Sequence, residues 1–144
     1  MIEAVVQRLD ARVPQLRGRV KGAADFARLM ASNTFRDAQG GAYVLPMSLR
    51  GGAPQAATGA FVQPLDETLT VVLVRPSVDP RGPREPGELS QLIESVMEAL
   101  AGFRPPHVPG PLRVTQGRML NVGAGVLVYQ LDFAVTRHLR ISPT

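Results

Sequence analysis

Hydrophobic and polar residues alternate most regularly near the C-terminus, over residues 118–141. Two extended runs are separated by the short sequence Asn-Val-Gly-Ala-Gly, which is typical of a turn. Because successive side chains of a strand point to opposite faces, one face of the second run is apolar, with Leu127, Tyr129, Leu131, Phe133 and Val135. The other face includes Gln130, Asp132 and Thr136, which we expect to be exposed. The pattern predicts two paired strands in a sheet.

Three other stretches repeat apolar residues every three or four positions, which is the spacing of one helix face. Residues 1–13 and 88–103 show it clearly, and prolines follow both. Residues 24–31 predict a smaller helix whose inward-facing side chains are Phe26, Leu29 and Met30. We expect these helices to cover the sheet.

Three further segments predict strands. Residues 16–23 are short, extended and interleaved with charges, which is typical of an edge strand. Residues 42–46 form a short apolar strand after a Gly-Gly pair. Residues 61–74 contain the continuous run TVVLV, which indicates burial on both faces, and Pro64 places the first part of this strand at an edge or a bulge.

The predicted order of elements is α, β, α, β, β, α, β, β. Strands joined by turns and loops favour antiparallel pairing, so we predict an α+β fold. It comprises a mostly antiparallel mixed sheet of about four to five strands with two to three helices packed on it. At 144 residues, the chain fits one domain, residues 1–144.

Two segments have no place in this core. Residues 48–59 are rich in Gly and Ala, show no apolar period and lack the Asn-Gly signal of a tight hairpin. Residues 77–87 contain three prolines. Both are predicted to be long exposed loops, which are either functional or simply mobile.

The composition narrows the class of protein further. A hydrophobic fraction of 44% excludes a disordered chain, and no apolar run reaches the ~20 residues that span a bilayer. The N-terminus lacks the uninterrupted apolar stretch of a signal peptide, and we expect no membrane partner. The net charge is +4, but the arginines are scattered along the chain, so no phosphate-binding stripe can be identified.

The residues that could perform chemistry do not form a recognisable set. The absence of cysteine removes disulfides and most zinc sites. His107 and His138 have no partner at ligand spacing, and the adjacent carboxylates Asp66 and Glu67 would point to opposite faces of a strand. The glycine-rich pieces do not match phosphate-binding patterns. We therefore expect no catalytic residue, no metal, no cofactor and no enzymatic activity.

The order and spacing of four pieces nevertheless resemble a known family. They are the opening IEAVVQRLDARVPQLRGRVKGAADFARL, the segment from AYVLPMS through TGAFVQPLDETLTVVLVRPSVDPRG, the helix ELSQLIESVMEALAGFRPP, and the close from GRML to GVLVYQLDFAVTRHLR. Together they resemble the small tail terminator proteins of long-tailed (siphovirus-like) phages, prophages and gene transfer agents.

The resemblance implies a structural virion protein that is made in the host bacterial cytoplasm and lies at the tail–neck junction. Family members form a hexameric ring that caps the tail tube, stops its polymerisation and offers the surface to which the head docks. The implied partners are further copies of the chain, the major tail tube protein and a head–tail connector or neck protein. DNA passes through the lumen without sequence specificity. Such lumens are commonly acidic, whereas this chain is basic.

Within this interpretation, the two predicted loops and the exposed face of the last strand are candidate contacts with neighbouring subunits or the tube. The candidate residues are Arg50, Gly51, Gly52, Gln55, Arg81, Arg84, Gln130 and Asp132. Two alternatives stay open from the sequence. One is another neck ring, a head–tail connector or head-completion protein. The other is a basic nucleic-acid-binding module.

Overall fold

The computed structural model describes residues 1–32, 40–57, 59–76, 86–123 and 126–142. Its helices are α1 (Ile2–Arg12), α2 (Ala23–Ser32) and α3 (Pro86–Leu100), with one 3-10 turn at Pro14–Leu16. Its strands are β1 (Val20–Lys21), β2 (Gly41–Gly51), β3 (Gln55–Ala57), β4 (Ala60–Pro76), β5 (Arg113–Gly123) and β6 (Val126–Ile141).

All described strands belong to one sheet in the order β1-β2-β4-β6-β5. β1 runs parallel to β2, and every other neighbouring pair is antiparallel. β4 pairs with two strands along the same edge: its first residues pair with β3, and its later residues pair with β2. Three helices on an open mixed sheet, counted over the described ranges, confirm the predicted α+β fold.

The sheet buries apolar side chains on both faces over part of its area. α1 and α3 pack on one face, which we call the two-helix face, around a cluster that includes Leu9, Val96, Val71 and Phe133. α2 packs on the opposite face, which we call the α2 face, over a smaller cluster formed by Val72, Val74, Val126 and Val128. The expected burial of β4 on both faces is therefore confirmed.

The small helix departs from prediction at one residue. Phe26 and Leu29 face the sheet as expected, and the Phe26 ring lies 5.4 Å from the ring of Tyr43. Burial, and to a lesser extent the charge of Asp25, raises the pKa of Tyr43. Met30, however, is 52% exposed and does not belong to the side chains that pack on the α2-face cluster. The prediction that Met30 faces inward was wrong.

The predicted loop over residues 48–59 was also wrong for the described part of that segment. β2 continues to Gly51 and β3 follows after three residues, so this part of the chain extends the hairpin with β4. The Gly52 N–H donates to the Pro64 carbonyl oxygen at 2.8 Å, which bridges the gap between β2 and β3. Pro64 thus lies at an irregularity, as predicted. Most of the second predicted loop, residues 77–87, lies outside the described residues, and α3 begins at Pro86.

Candidate assembly surface

Both edge strands of the sheet have long exposed segments. Every residue from 46 to 51 of β2 is exposed, and so is every residue from 113 to 120 of β5. A strand on the surface of one subunit usually buries alternate residues against a core. Here neither the helix layers nor other described segments cover either segment. We call them the β2 exposed segment (residues 46–51) and the β5 exposed segment (residues 113–120).

These two segments hold five of the large apolar side chains that the described structure exposes. On the β2 exposed segment, Met47 and Leu49 are 54% and 60% exposed. On the β5 exposed segment, the exposed apolar residues are Val114, Met119 and Leu120. Single exposed apolar residues are ordinary, but a group of them along a strand edge marks an interaction surface or an aggregation risk.

The first group of candidate residues lies at the end of β2 and in β3. Arg50 is exposed and lies opposite Asp66 of β4, and Gln55 lies opposite Val62. Cross-strand partners share a face, so both residues are on the α2 face. Gly52 approaches a rigid group, because a β-carbon there would lie 2.8 Å from Cγ of the Pro64 ring. A β-carbon on Gly51 would lie 2.7 Å from Nε2 of Gln63, the end of a flexible side chain that can move away.

The second group, Gln130 and Asp132, lies near the middle of β6 on the same face as Arg50 and Gln55. Asp132 is half-buried rather than fully exposed. One of its carboxylate oxygens accepts hydrogen bonds from Thr70 Oγ1 at 2.6 Å and from Gln130 Nε2 at 2.9 Å. Asp132 is therefore tied into its own subunit, whatever contact it makes outside.

A second polar group lies further along the same face, where α2 no longer covers it. Thr136 Oγ1 donates to Asp66 at 2.7 Å, and Arg113 Nη1 donates to Thr136 Oγ1 at 3.2 Å. Arg113 Nη2 also lies 3.9 Å from the Asp66 carboxylate. These contacts join β4, β6 and β5. The structure thus brings Arg50, Gln55, Gln130 and Asp132 onto one face, while Arg81 and Arg84 lie outside the described residues.

Strand register groups exposed arginines that are scattered in the linear sequence. The strand register places four exposed arginines on the α2 face: Arg50, Arg113, Arg118 and Arg140. Helix α3, on the other side of the sheet, contains no basic residue and exposes Glu88, Glu94 and Glu98. The α2 face thus carries a group of arginines and α3 a group of glutamates, although Arg8 and Arg12 of α1 lie next to Glu98 of α3.

The described residues show no arrangement typical of a metal site or of a membrane-spanning helix. No group of three or more His, Asp or Glu residues there could hold a metal ion. Every buried side-chain nitrogen or oxygen within them has a hydrogen-bond partner. None of their helices is long and apolar enough to cross a membrane.

A small α+β subunit that exposes apolar strand edges has the features of a component of a larger assembly. Comparison with known families agrees. The chain belongs to the phage tail terminator family, because the family model described as phage tail terminator protein matches residues 1–143. Among curated proteins, no sequence matches the chain. Membership gives the protein a structural role in the phage tail, as a virion component that contacts tail and head-proximal proteins.

The sequence interpretation missed most of the β5 exposed segment. The last hairpin was predicted to begin at residue 118, whereas β5 begins at Arg113. Its register also shifts twice, between Val114 and Gln116 and between Met119 and Asn121. Each bulge breaks the alternation from which a strand is recognised. The local indications of β5 were the turn signal at residues 121–125 and the short extended run before it, from residue 118.

Proposed function

We propose that the protein is the tail terminator of its particle and forms a hexameric ring. The ring caps the tail tube, stops tube polymerisation and provides the surface on which the head or neck docks. It lies at the tail–neck junction and acts structurally, not as an enzyme. The match to the tail terminator family over nearly the whole chain is the observation that supports this function most strongly.

The exposed strand segments support the ring. Each copy in a closed ring contacts its two neighbours through two different surfaces that are complementary to each other. A stable interface buries at least about 1,000 Å² in total. The β2 exposed segment and the β5 exposed segment lie at opposite edges of the sheet, and each presents apolar side chains. One chain therefore has two separate surfaces of the kind that ring closure requires.

Passage of DNA through the lumen is part of the same proposal. Contact with DNA there would involve phosphates rather than base edges, so it would be independent of sequence and sensitive to salt. The basic α2 face offers Arg50, Arg113, Arg118 and Arg140 for such contacts. The acidic side of α3 would repel phosphates. We therefore expect the α2 face to lie closer to DNA than α3 does.

Deleting the gene from the genome of its particle tests this function. Without a terminator, the tube should grow past its normal length, and filled heads should remain unattached. Electron microscopy of lysates gives both the tail-length distribution and the fraction of joined heads, and the intact gene supplied in trans is the control. Tails of normal length with unattached heads would instead identify a head–tail connector. Normal particles would contradict both structural roles.

A further inference from the structure

The sheet has two edges with unpaired backbone in the described structure. β5 pairs with β6 on one side and has no described strand on the other. On the opposite edge, β1 pairs with β2 only at Ala42 and Tyr43, which leaves the rest of β2 open. An unpaired edge presents a row of N–H and C=O groups that can pair with another strand. Both edges are long enough to accept one.

The direction of the strands makes the two edges compatible. β2, β4, β6 and β5 are neighbours in this order, and each is antiparallel to the next. β5 therefore runs opposite to β2. When copies are related by rotation about an axis roughly parallel to the strands, β5 of one copy approaches β2 of the next in the antiparallel sense. The sheet can continue from copy to copy without reversing any subunit.

The exposed apolar side chains of the two edges also lie on the same face of the sheet. Val114 lies opposite Phe133 and Met119 lies opposite Tyr129, so both are on the two-helix face. Leu49 lies opposite Glu67, which lies opposite Val135 of the same cluster. In a continued sheet, Leu49 of one copy and Val114 of its neighbour would extend one apolar surface. In the isolated subunit both side chains remain exposed.

We propose that β5 of one copy pairs antiparallel with the open edge of β2, residues 44–51, of the next copy. This inference rests on the proposed ring and specifies the contact that closes it. A symmetric β5–β5 contact is less suitable, because it would join two copies and leave the β2 exposed segment uncovered. The proline and the register shift on β2, at Pro46 and Met47, limit which registers its edge can accept.

Cross-linking tests the pairing cleanly because the natural chain contains no cysteine. The test variant combines Leu49→Cys with Val114→Cys, and purified tails that contain it are treated with a short bis-maleimide. The reagent should span about 10 Å, which corresponds to three residues along a strand, so that it can link the two cysteines in more than one register. The matched control combines Leu49→Cys with Met30→Cys, since Met30 is similarly exposed but lies on α2. Each single variant is tested alongside.

The expected result is a ladder of cross-linked products up to six copies for Leu49→Cys/Val114→Cys, and no ladder for the control. Dimers from the single Val114→Cys variant would overturn the inference in favour of β5–β5 contact. Terminated tails without the ladder would overturn it too, yet leave the proposed function intact. If the natural protein does not terminate tails, the proposed function is wrong, and the proposed pairing between copies is wrong with it.

A matched pair of substitutions gives a second, independent measurement. Met119→Glu places a charge on the β5 exposed segment, and Met30→Glu places the same charge on α2. Both residues are exposed in the single subunit, so both variants should fold with wild-type circular dichroism and urea midpoints. Met119→Glu should abolish rings in native mass measurements, whereas Met30→Glu should leave them. Equal ring formation by the two folded variants would contradict pairing through β5.

Discussion

The contacts of Asp132 within its own subunit limit what a substitution at this residue can show about an interface. Its carboxylate is bound by Thr70, which is only 2% exposed, and by Gln130. A charge reversal at Asp132 would break these bonds, so loss of assembly in such a variant would not identify an interface. Arg50 is the better probe, since it is exposed and its substitution breaks none of the hydrogen bonds or ion pairs described above.

The contribution of this contact to folding can be measured at Thr70. Thr70→Val keeps the shape of the side chain but removes the hydroxyl that donates to Asp132 at 2.6 Å. Hydrogen bonds to charged groups contribute about 1.5–3 kcal/mol, and Asp132 keeps its bond from Gln130. We expect urea denaturation to show a loss of about 1–2 kcal/mol for Thr70→Val and a smaller loss for Thr70→Ser. Equal stability of Thr70→Val and wild type would show that the bond contributes nothing.

At the scale of elements, the sequence predicts what the subunit buries for itself. α1, α3, β4 and β6 were recognised because their apolar residues follow the period of a helix or the run of a buried strand. Most of the β2 exposed segment and the first five residues of β5 were missed because they are exposed on both faces. A strand that finds its partner in another molecule need not show the pattern of its own core.

The same reasoning explains which residues of the candidate surface could be predicted from the sequence. Arg50, Gly51, Gly52 and Gln55 were selected because the core could not explain their segment, although all of them except Gly52 lie in paired strands. Val114 was not selected because it precedes the predicted hairpin, and Met119 and Leu120 were not selected because they lie in a predicted strand rather than in a predicted loop. Sequence position also gave no sign that scattered arginines share one face. That grouping depends on strand register, which local patterns do not fix.

The contact between β1 and β2 gives a prediction about the stability of the fold, because β1 pairs with the first residues of β2. Gly41 lies so close to the preceding segment that an added β-carbon would be 2.6 Å from the Arg19 carbonyl oxygen. That oxygen accepts a hydrogen bond from Ala42 N–H at 3.0 Å, so the backbone there cannot easily move away. Gly41→Ala should destabilise the fold by about 1–3 kcal/mol.

Gly22→Ala is the control for this substitution, because a β-carbon at Gly22 meets no atom within 4 Å. It should leave the urea midpoint close to that of wild type. Hydrogen exchange at Ala42 and Tyr43 would locate the effect, since these residues pair with β1. Faster exchange is expected there in Gly41→Ala only. Similar midpoints and exchange rates for the two variants would show that the close approach does not constrain the sheet.

At the scale of the whole molecule, the subunit is a sheet with two different sides and two open edges. Four exposed arginines lie on the α2 face and three exposed glutamates on α3, and both edges of the sheet have unpaired backbone in the described residues. A cap that meets a tube on one side and a head or neck on the other requires such asymmetry. The family match and the surface properties of the subunit therefore support the same structural role.

The most direct measurement of the central claim is the length of growing tail tubes in the presence of the purified protein. The tube protein of the same particle is polymerised alone, with this protein, or with an unrelated basic protein of similar size. Electron microscopy then gives the length distribution and the appearance of the tube ends. Shorter tubes that end in a six-fold ring are expected only when this protein is present. Unchanged lengths with bare ends would contradict it.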